Sequence, residues 1–363
     1  MIPLVDLSQD SKTLKAVRSA IDKVIATNSF ILGGQLEAFE KKFGEFLDSP
    51  YVCGVASGTD AIRLSLRALG VAPGDKVLTV SFTSPFTIIG ILEEGAIPVF
   101  CDIDPETWTI DPKDAAKKID SDVRAIIPVH IYGSPCDMDS ILALARETKI
   151  KVIEDACQAH GATIGGKFVG TFGDAAAFSF YPTKNLGGFG DGGSVTTDDE
   201  KVYDSIKILR HGGQTRRFWH EFAGAHSRLD EIQAAILQVK LTRLAQDNKK
   251  REEISKRYRE ELSDLPLEFQ KVLPEAKSAN HLFVVTTKER DQLKKYLESK
   301  DIASDIHYPY PTYRQPAFSK YSNGRLEVTE DVQAKILSLP IYPSLAANDQ
   351  DKVISEIRNF FKS

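Results

Sequence analysis

The sequence predicts an α/β protein: a mainly parallel sheet wrapped by helices, followed in the chain by a smaller α+β domain. Three observations carry that expectation. From about residue 50, short apolar runs alternate with amphipathic stretches. After Gly161 the pattern changes to short strands and glycine-rich turns, and a long charged helix then runs from about Leu229 to beyond Arg259.

Tyr51 to Ala56 reads as a strand, and Asp60 to Leu69 as a helix with Ile62, Leu66 and Leu69 on one face, stopped by Gly70. Val77 to Val80 is the next strand, and Pro85 suits the first turn of a helix. Pro98 to Ile103 (strand), Asp111-Pro112 (helix start), Ala125 to Val129 (strand), Asp137 to Thr148 (helix) and Lys151 to Glu154 (strand) continue the alternation, which indicates parallel pairing. Ala176 to Phe180 and Ser194 to Thr197 are strands separated by the Gly187-Gly188 and Gly192-Gly193 turns. A strand at His281 to Thr286 and helices at Arg290 to Ser299 and near Asp349 to Phe361 make the small unit. The long helix turns polar after Lys240, as a bridge would. Residues 1-240 are therefore assigned to a large domain and 241-363 to a small one, a division favoured by chain length.

Composition is that of a soluble globular protein, 42% hydrophobic and 27% charged. The net charge of -5, with no long run of one sign, argues against nucleic acid or an anionic membrane as the main partner. No basic stretch leading into an apolar one opens the chain, and the longest apolar runs, such as Val123 to Val129, are strand-sized. A cytoplasmic address is expected. Cys53, Cys101, Cys136 and Cys157 are scattered through strand-like segments without CxxC spacing, which predicts reduced thiols rather than disulfides or a metal site.

Three segments carry chemistry. An apolar strand ends in Glu154-Asp155, followed by Ala156-Cys157-Gln158-Ala159-His160-Gly161. An aspartate at the carboxyl end of such a strand accepts a charge-assisted hydrogen bond from a cationic ring nitrogen, or it caps a loop. Ser179-Phe180-Tyr181-Pro182-Thr183-Lys184-Asn185-Leu186-Gly187-Gly188 sets one lysine among aromatic residues and glycines. Desolvation there favours the neutral amine that attacks an aldehyde, although a lysine in a turn is also commonplace. Ser57-Gly58-Thr59-Asp60 joins a strand to a helix start, either a phosphate cup or a plain N-cap by Thr59. A phosphate, a cationic ring nitrogen and an aldehyde belong together in pyridoxal phosphate.

These segments, with Ile2-Pro3-Leu4-Val5-Asp6-Leu7, Gly34 to Glu40 and Ser227-Arg228-Leu229-Asp230-Glu231-Ile232-Gln233, resemble the DegT/DnrJ/EryC1/StrS family of sugar aminotransferases over nearly the whole chain. The resemblance implies fold-type I, with a mainly parallel sheet of the seven-stranded type. It also implies pyridoxal 5'-phosphate as cofactor, cycling through pyridoxamine 5'-phosphate, and a homodimer with shared active sites. Lys184 would hold the cofactor as a Schiff base and shuttle protons; a dehydratase branch carries histidine there. Asp155 would bind the pyridinium nitrogen, Gln158 would face the ring, and Ser179, Gly58 and Thr59 would bind the phosphate.

Two departures stand out. His226 occupies the place of an asparagine that contacts the partner's cofactor phosphate, within a loop, Ala223 to Arg228, expected to cross the interface. Ser84 occupies the place of a ring-stacking aromatic, with Phe82 and Phe86 flanking it, and Phe86 is taken as its substitute.

The substrates implied are an amino-acid donor, glutamate foremost, and a nucleotide-linked keto-sugar. Ser227-Arg228-Leu229-Asp230 and Ile306-His307-Tyr308-Pro309 resemble enzymes acting at C3 of dTDP-3-keto-6-deoxyhexoses. Tyr181, Arg228, His307 and Tyr308 are the candidate sugar contacts, with loop packing as the other reading. Arg216 and Arg217 beside Trp219 and Phe222 suit either a nucleotide diphosphate or an exposed interface. The rivals are a UDP-linked 3-keto sugar, a C4-keto sugar or an inosose as acceptor, and a non-catalytic cofactor-binding regulator.

Overall fold

The computed structural model describes residues 1–362. Its central sheet has seven strands: β1 (Tyr51–Val55), β2 (Lys76–Val80), β3 (Ile97–Cys101), β4 (Val123–Ile127), β5 (Lys151–Asp155), β6 (Ala175–Ser179) and β7 (Gly193–Thr197). Their order is β1-β7-β6-β5-β4-β2-β3. Only β7 runs against its neighbours, β1 and β6; the other pairs are parallel. A parallel return needs a crossover, usually through a helix, and the Phe180–Gly192 connection contains none.

The sheet forms where the alternation placed it, with strand ends moved by one or two residues, as in β3, which stops at Cys101 rather than Ile103, and most in β4. β4 spans Val123–Ile127 rather than Ala125 to Val129, because Pro128 has no N–H to continue the ladder. Helices α1 (Ser11–Thr27) and α2 (Gly34–Leu47) precede the sheet and lie outside the alternating region. α3 (Gly58–Ala68), α4 (Pro85–Glu93), α5 (Pro112–Lys118) and α6 (Met138–Thr148) connect successive strands, and α7 (Glu200–Leu209) follows β7. Pro85 sits in the first turn of α4, and Asp111 and Asp137 cap α5 and α6. One face of the sheet packs on α3 and α7 through Ile62, Leu66, Val202 and Ile206. Phe178 and Phe180, from β6 and its turn, meet Phe39 and Phe43 of α2.

A hairpin, β8 (Gln214–Arg216) and β9 (Trp219–His220), leads to α8 (Glu231–Glu261). Its first half packs Leu237, Leu241 and Leu244 into the core beneath α2. Its second half gives Ile254 and Tyr258 to a separate cluster. That cluster holds β10 (Glu268–Phe269), β11 (Phe283–Thr286), α9 (Arg290–Ser299), β12 (Ile336–Leu339) and α11 (Ala347–Phe360), with α10 (Glu327–Lys335) alongside. Ile2 joins it too, so the chain's first residues are stitched to its last third. No helix among the described residues is long and apolar enough to cross a membrane. All four cysteines are free; Cys53 and Cys101 lie in strands, but Cys136 and Cys157 lie in loops, contrary to the strand-like reading.

Glu231, at the start of α8, is buried and grips the open end of α2. It accepts hydrogen bonds from the N–H groups of Gly33 (2.9 Å), Gln35 (2.8 Å) and Leu36 (2.9 Å). Those groups have no intrahelical partner. Glu231→Ala strands three donors and is expected to cost about 3 kcal/mol. Glu231→Gln, which keeps one acceptor oxygen, is expected to recover part of that. Urea unfolding at constant slope measures both.

Candidate active site

The Lys184 turn is built by its neighbours. Phe180 N–H donates to Gly192 O and Gly188 N–H to Phe180 O, both at 2.7 Å, closing the loop that follows β6. A Cβ at Gly187 would run into the Pro182 carbonyl, so glycine is required there. Asn185 is clamped from three sides. Its amide donates to Asn248 Oδ1 (2.9 Å) and Ala279 O (2.8 Å), while its oxygen meets His281 Nδ1 at 3.2 Å. Lys184 itself makes neither a side-chain hydrogen bond nor an ion pair. Burial holds its amine below the ordinary lysine range, against the pull of Cys157 and Asp155. More of it is therefore neutral near pH 7.

Asp155, the last residue of β5, is 5% exposed. The loop-cap reading is realised in part, since Oδ1 accepts the Cys157 N–H at 3.2 Å. The other oxygen is held by the Thr87 hydroxyl at 2.8 Å, and Thr87 meets Thr83 at 2.9 Å. Gln158 is equally fixed. Its oxygen accepts Tyr132 N–H at 2.7 Å, which sets the amide's orientation, and its nitrogen donates to Tyr308 OH at 3.1 Å. Burial pushes the Tyr308 phenol up to about 12.

Glu154, beside Asp155 in sequence, faces away from this chemistry. It accepts the N–H groups of Gly170 (2.8 Å), Phe172 (2.7 Å) and Gly173 (2.9 Å), and meets His130 Nε2 at 3.2 Å. His130 Nδ1 accepts Cys136 N–H at 3.0 Å, so its proton sits on Nε2 and is donated to Glu154. Burial raises the Glu154 carboxyl, but His130 and the backbone N–H groups bring it below its ordinary value.

At the third segment the N-cap is Ser57, not Thr59: its hydroxyl accepts Asp60 N–H at 3.1 Å. The N–H groups of Gly58 and Thr59 are left without acceptors at the positive end of α3. A Cβ on Gly58 would come within 2.7 Å of Cys157 Sγ and 2.9 Å of Ser179 Cβ, so the helix end, Ser179 and the loop after Asp155 converge. Free N–H donors beside a serine suit a phosphate. A carboxylate steadied by Thr87 suits a pyridinium, and an unpartnered amine suits an aldehyde. The donor set fits pyridoxal phosphate.

The remaining expected residues are distributed less simply. Phe86 is 62% exposed, and no hydrogen bond or ring contact joins it to Asp155, Gln158 or Lys184; its neighbour Thr87 reaches Asp155 instead. Phe82 turns into the core, edge-on to Tyr132. His226 is exposed, with Nε2 at 2.5 Å from Arg228, which also meets His211 at 3.2 Å. His307 bonds Ser338 at 2.9 Å, and Tyr181 is exposed. The β8–β9 hairpin stands in solvent, with Arg216 over Trp219 (4.6 Å), Arg217 over Phe218 (4.9 Å), and Phe222 exposed. Thr87, Tyr132 and Glu154 were missed as site-building residues.

The profile of the DegT/DnrJ/EryC1/StrS aminotransferases matches residues 12–358. A dTDP-3-amino-3,6-dideoxy-alpha-D-galactopyranose transaminase of Aneurinibacillus thermoaerophilus is 40% identical over 361 residues, 99% of each chain. A UDP-N-acetyl-3-dehydro-alpha-D-glucosamine 3-aminotransferase of Acidithiobacillus ferrooxidans is 39% identical, covering 98% of this chain and 97% of its own. The crystal structure of S. venezuelae DesV with a ketimine intermediate superposes with a TM-score of 0.97 at 37% identity, covering 100% of this chain and 99% of that one. Fold, site geometry and full-length likeness agree, and the chain belongs to the DegT/DnrJ/EryC1/StrS aminotransferase family.

Proposed function

We propose that this chain is a pyridoxal-phosphate-dependent transaminase that moves an amino group from glutamate to C3 of a dTDP-linked 3-keto-6-deoxyhexose. The observation that carries the chemistry is the unpartnered Lys184 amine, in the turn after β6, in the same site as Asp155 at the end of β5. The bound cofactor supplies an electron sink for the pair left when carbon beside nitrogen loses its proton. Lys184 tethers the cofactor aldehyde and, once freed, takes the proton from the donor α-carbon as general base. Asp155 keeps a proton on the ring nitrogen, with Thr87 steadying the carboxylate. Gly58, Thr59 and Ser179 hold the phosphate, and Gln158 lies against the ring. Phe86 is the ring-side aromatic of this reading.

The working unit is a homodimer. The exposed His226 and the Ala223 to Arg228 loop reach the neighbouring site, while Tyr181, Arg228, His307 and Tyr308 border the sugar. Residues 1-240 carry the cofactor and 241-363 form the smaller domain. The cytoplasm is its location, in keeping with four unpaired cysteines.

The C3 assignment is supported by the Aneurinibacillus relative, and a UDP-linked acceptor by the Acidithiobacillus one. Turnover with dTDP- and UDP-linked 3-keto sugars separates them, with NMR of the product locating the nitrogen. A kcat/KM at least about tenfold higher for the dTDP substrate, a difference of about 1.4 kcal/mol, is expected. A reversed preference removes the nucleotide assignment, and nitrogen at C4 removes the regiochemistry.

A further inference from the structure

A cavity of about 360 Å³ lies on the Lys184 turn, walled by the segment from Val5 to Asp10, by α8 from Lys240 to Arg251, and by Pro343 and Ser344. Five basic side chains and three acidic ones face it; two of the acids are hydrogen-bonded, and the third, Asp247, is only ion-paired. Asp10 pairs with Arg243 and accepts Thr13 N–H at 2.9 Å. Asp6 accepts hydroxyls from Ser8 and Ser344, each at 2.8 Å. Asp247 lies 3.6 Å from Arg243.

Lys184 is the reactive amine and Lys240 donates to the Gly187 carbonyl, which leaves Lys250 and Arg251. Lys250 makes no side-chain hydrogen bond or ion pair. Arg251 is 5% exposed, and its guanidinium meets only backbone carbonyls, through one nitrogen: Ile341 (2.9 Å), His281 (3.3 Å) and Asn280 (3.4 Å). The rest of that fork has no protein acceptor. A guanidinium stays charged, and a buried charge is costly unless an opposite charge meets it. Burial pulls Arg251 down to about 10 and Lys240 to about 8, with Asp247 the only acid opposing either shift. The wall is under-compensated.

We infer that this cavity binds the amino donor, an α-amino dicarboxylate, and that Arg251 and Lys250 receive its carboxylates. The word donor rests on the transaminase reading above; the anion site rests on the cavity alone. Its volume lies at the low end of the ~300–1,000 Å³ of ligand pockets, room for an amino acid rather than a nucleotide-linked sugar. Lys184 is among the lining residues, so the cavity adjoins the turn that carries the reacting amine.

Maleate, a dicarboxylate with no amine to react, tests the site by calorimetry on the holoenzyme, with TDP and inorganic phosphate titrated in parallel. Lys250→Gln is expected to weaken maleate about tenfold and to raise KM for glutamate by a similar factor, leaving TDP binding and sugar KM unchanged. Arg251→Lys is expected to weaken maleate further; if it does not fold, Lys250→Gln decides. Wild-type protein that fails to bind maleate overturns the inference, as does a Lys250→Gln protein that binds it equally well. Weakening confined to TDP overturns it too and makes this a diphosphate site. Cofactor colour is scored separately: a colourless protein that still binds maleate through Lys250 fails the transaminase reading and not this one.

Discussion

Lys184→Ala is expected to lower turnover by about ten-thousandfold and to abolish covalent capture of the cofactor. Two losses combine. General acid–base transfer is worth about 10²–10⁴, and the nucleophile that tethers the aldehyde disappears with the same side chain. Nothing stands in for it. The nearby His160 is fully buried and held to about 3, first by burial and then by Lys184; burial persists in the variant and leaves the imidazole a weak base. Cys157 is driven well above its ordinary value, chiefly by burial and then by Asp155. The fold should survive, because the turn is held by Asn185, Gly187 and Gly188 rather than by the lysine amine. Borohydride reduction followed by peptide mass analysis is the measurement. Wild-type protein should carry the adduct on the peptide containing Lys184, and the variant none. An adduct on another lysine, or a variant retaining a tenth of wild-type turnover, would remove Lys184 from its role.

What the sequence made legible was local. The strand ending in Asp155 and the glycine-hedged turn at Lys184 are each written within about ten residues, and both lie where periodicity and turn chemistry put them. The mostly parallel sheet followed from the same alternation, and its seven strands of fold-type I from the family resemblance. What escaped depends on contacts across the chain. Thr87 reaches Asp155 across 68 residues, Tyr132 reaches Gln158 across 26, and Glu231 reaches the start of α2 across nearly 200. None of these pairs has a sequence signature, since a threonine hydroxyl or a backbone N–H is unremarkable until folding brings it to an acceptor. The Ser57 cap was nearer to hand: serine three residues before Asp60 is a recognised start signal, but a helix begun at Asp60 puts Thr59 at the cap, whereas the helix starts at Gly58.

Asp155→Asn is the second large effect expected. The carboxylate now takes two donors, Thr87 OH and Cys157 N–H, and keeps a negative charge to offer a ring nitrogen. Asparagine has one acceptor oxygen and one NH₂ group. If the oxygen stays with Cys157, the NH₂ faces the Thr87 hydroxyl, which can rotate to accept it, so the fold tolerates the change. The charge is lost in either orientation. A ring nitrogen without its counter-charge gives up its proton more readily, and the electron sink weakens by the amount that charge supplied. Preorganised electrostatic contacts of this kind are worth about 10²–10³ in kcat. Cofactor affinity should fall far less, about tenfold at most, because the Gly58 and Thr59 N–H groups and Ser179 are untouched. Thr87→Val supplies the control. It removes the steadying hydroxyl but keeps the charge, and a loss of about tenfold in kcat is expected. The ordering decides the matter: Asp155→Asn must cost far more in kcat than in cofactor binding, and more than Thr87→Val. Equal losses in kcat and affinity would mean that Asp155 merely holds the ring in place, and an Asp155→Asn enzyme within threefold of wild type would show that its charge does not bear on the reaction.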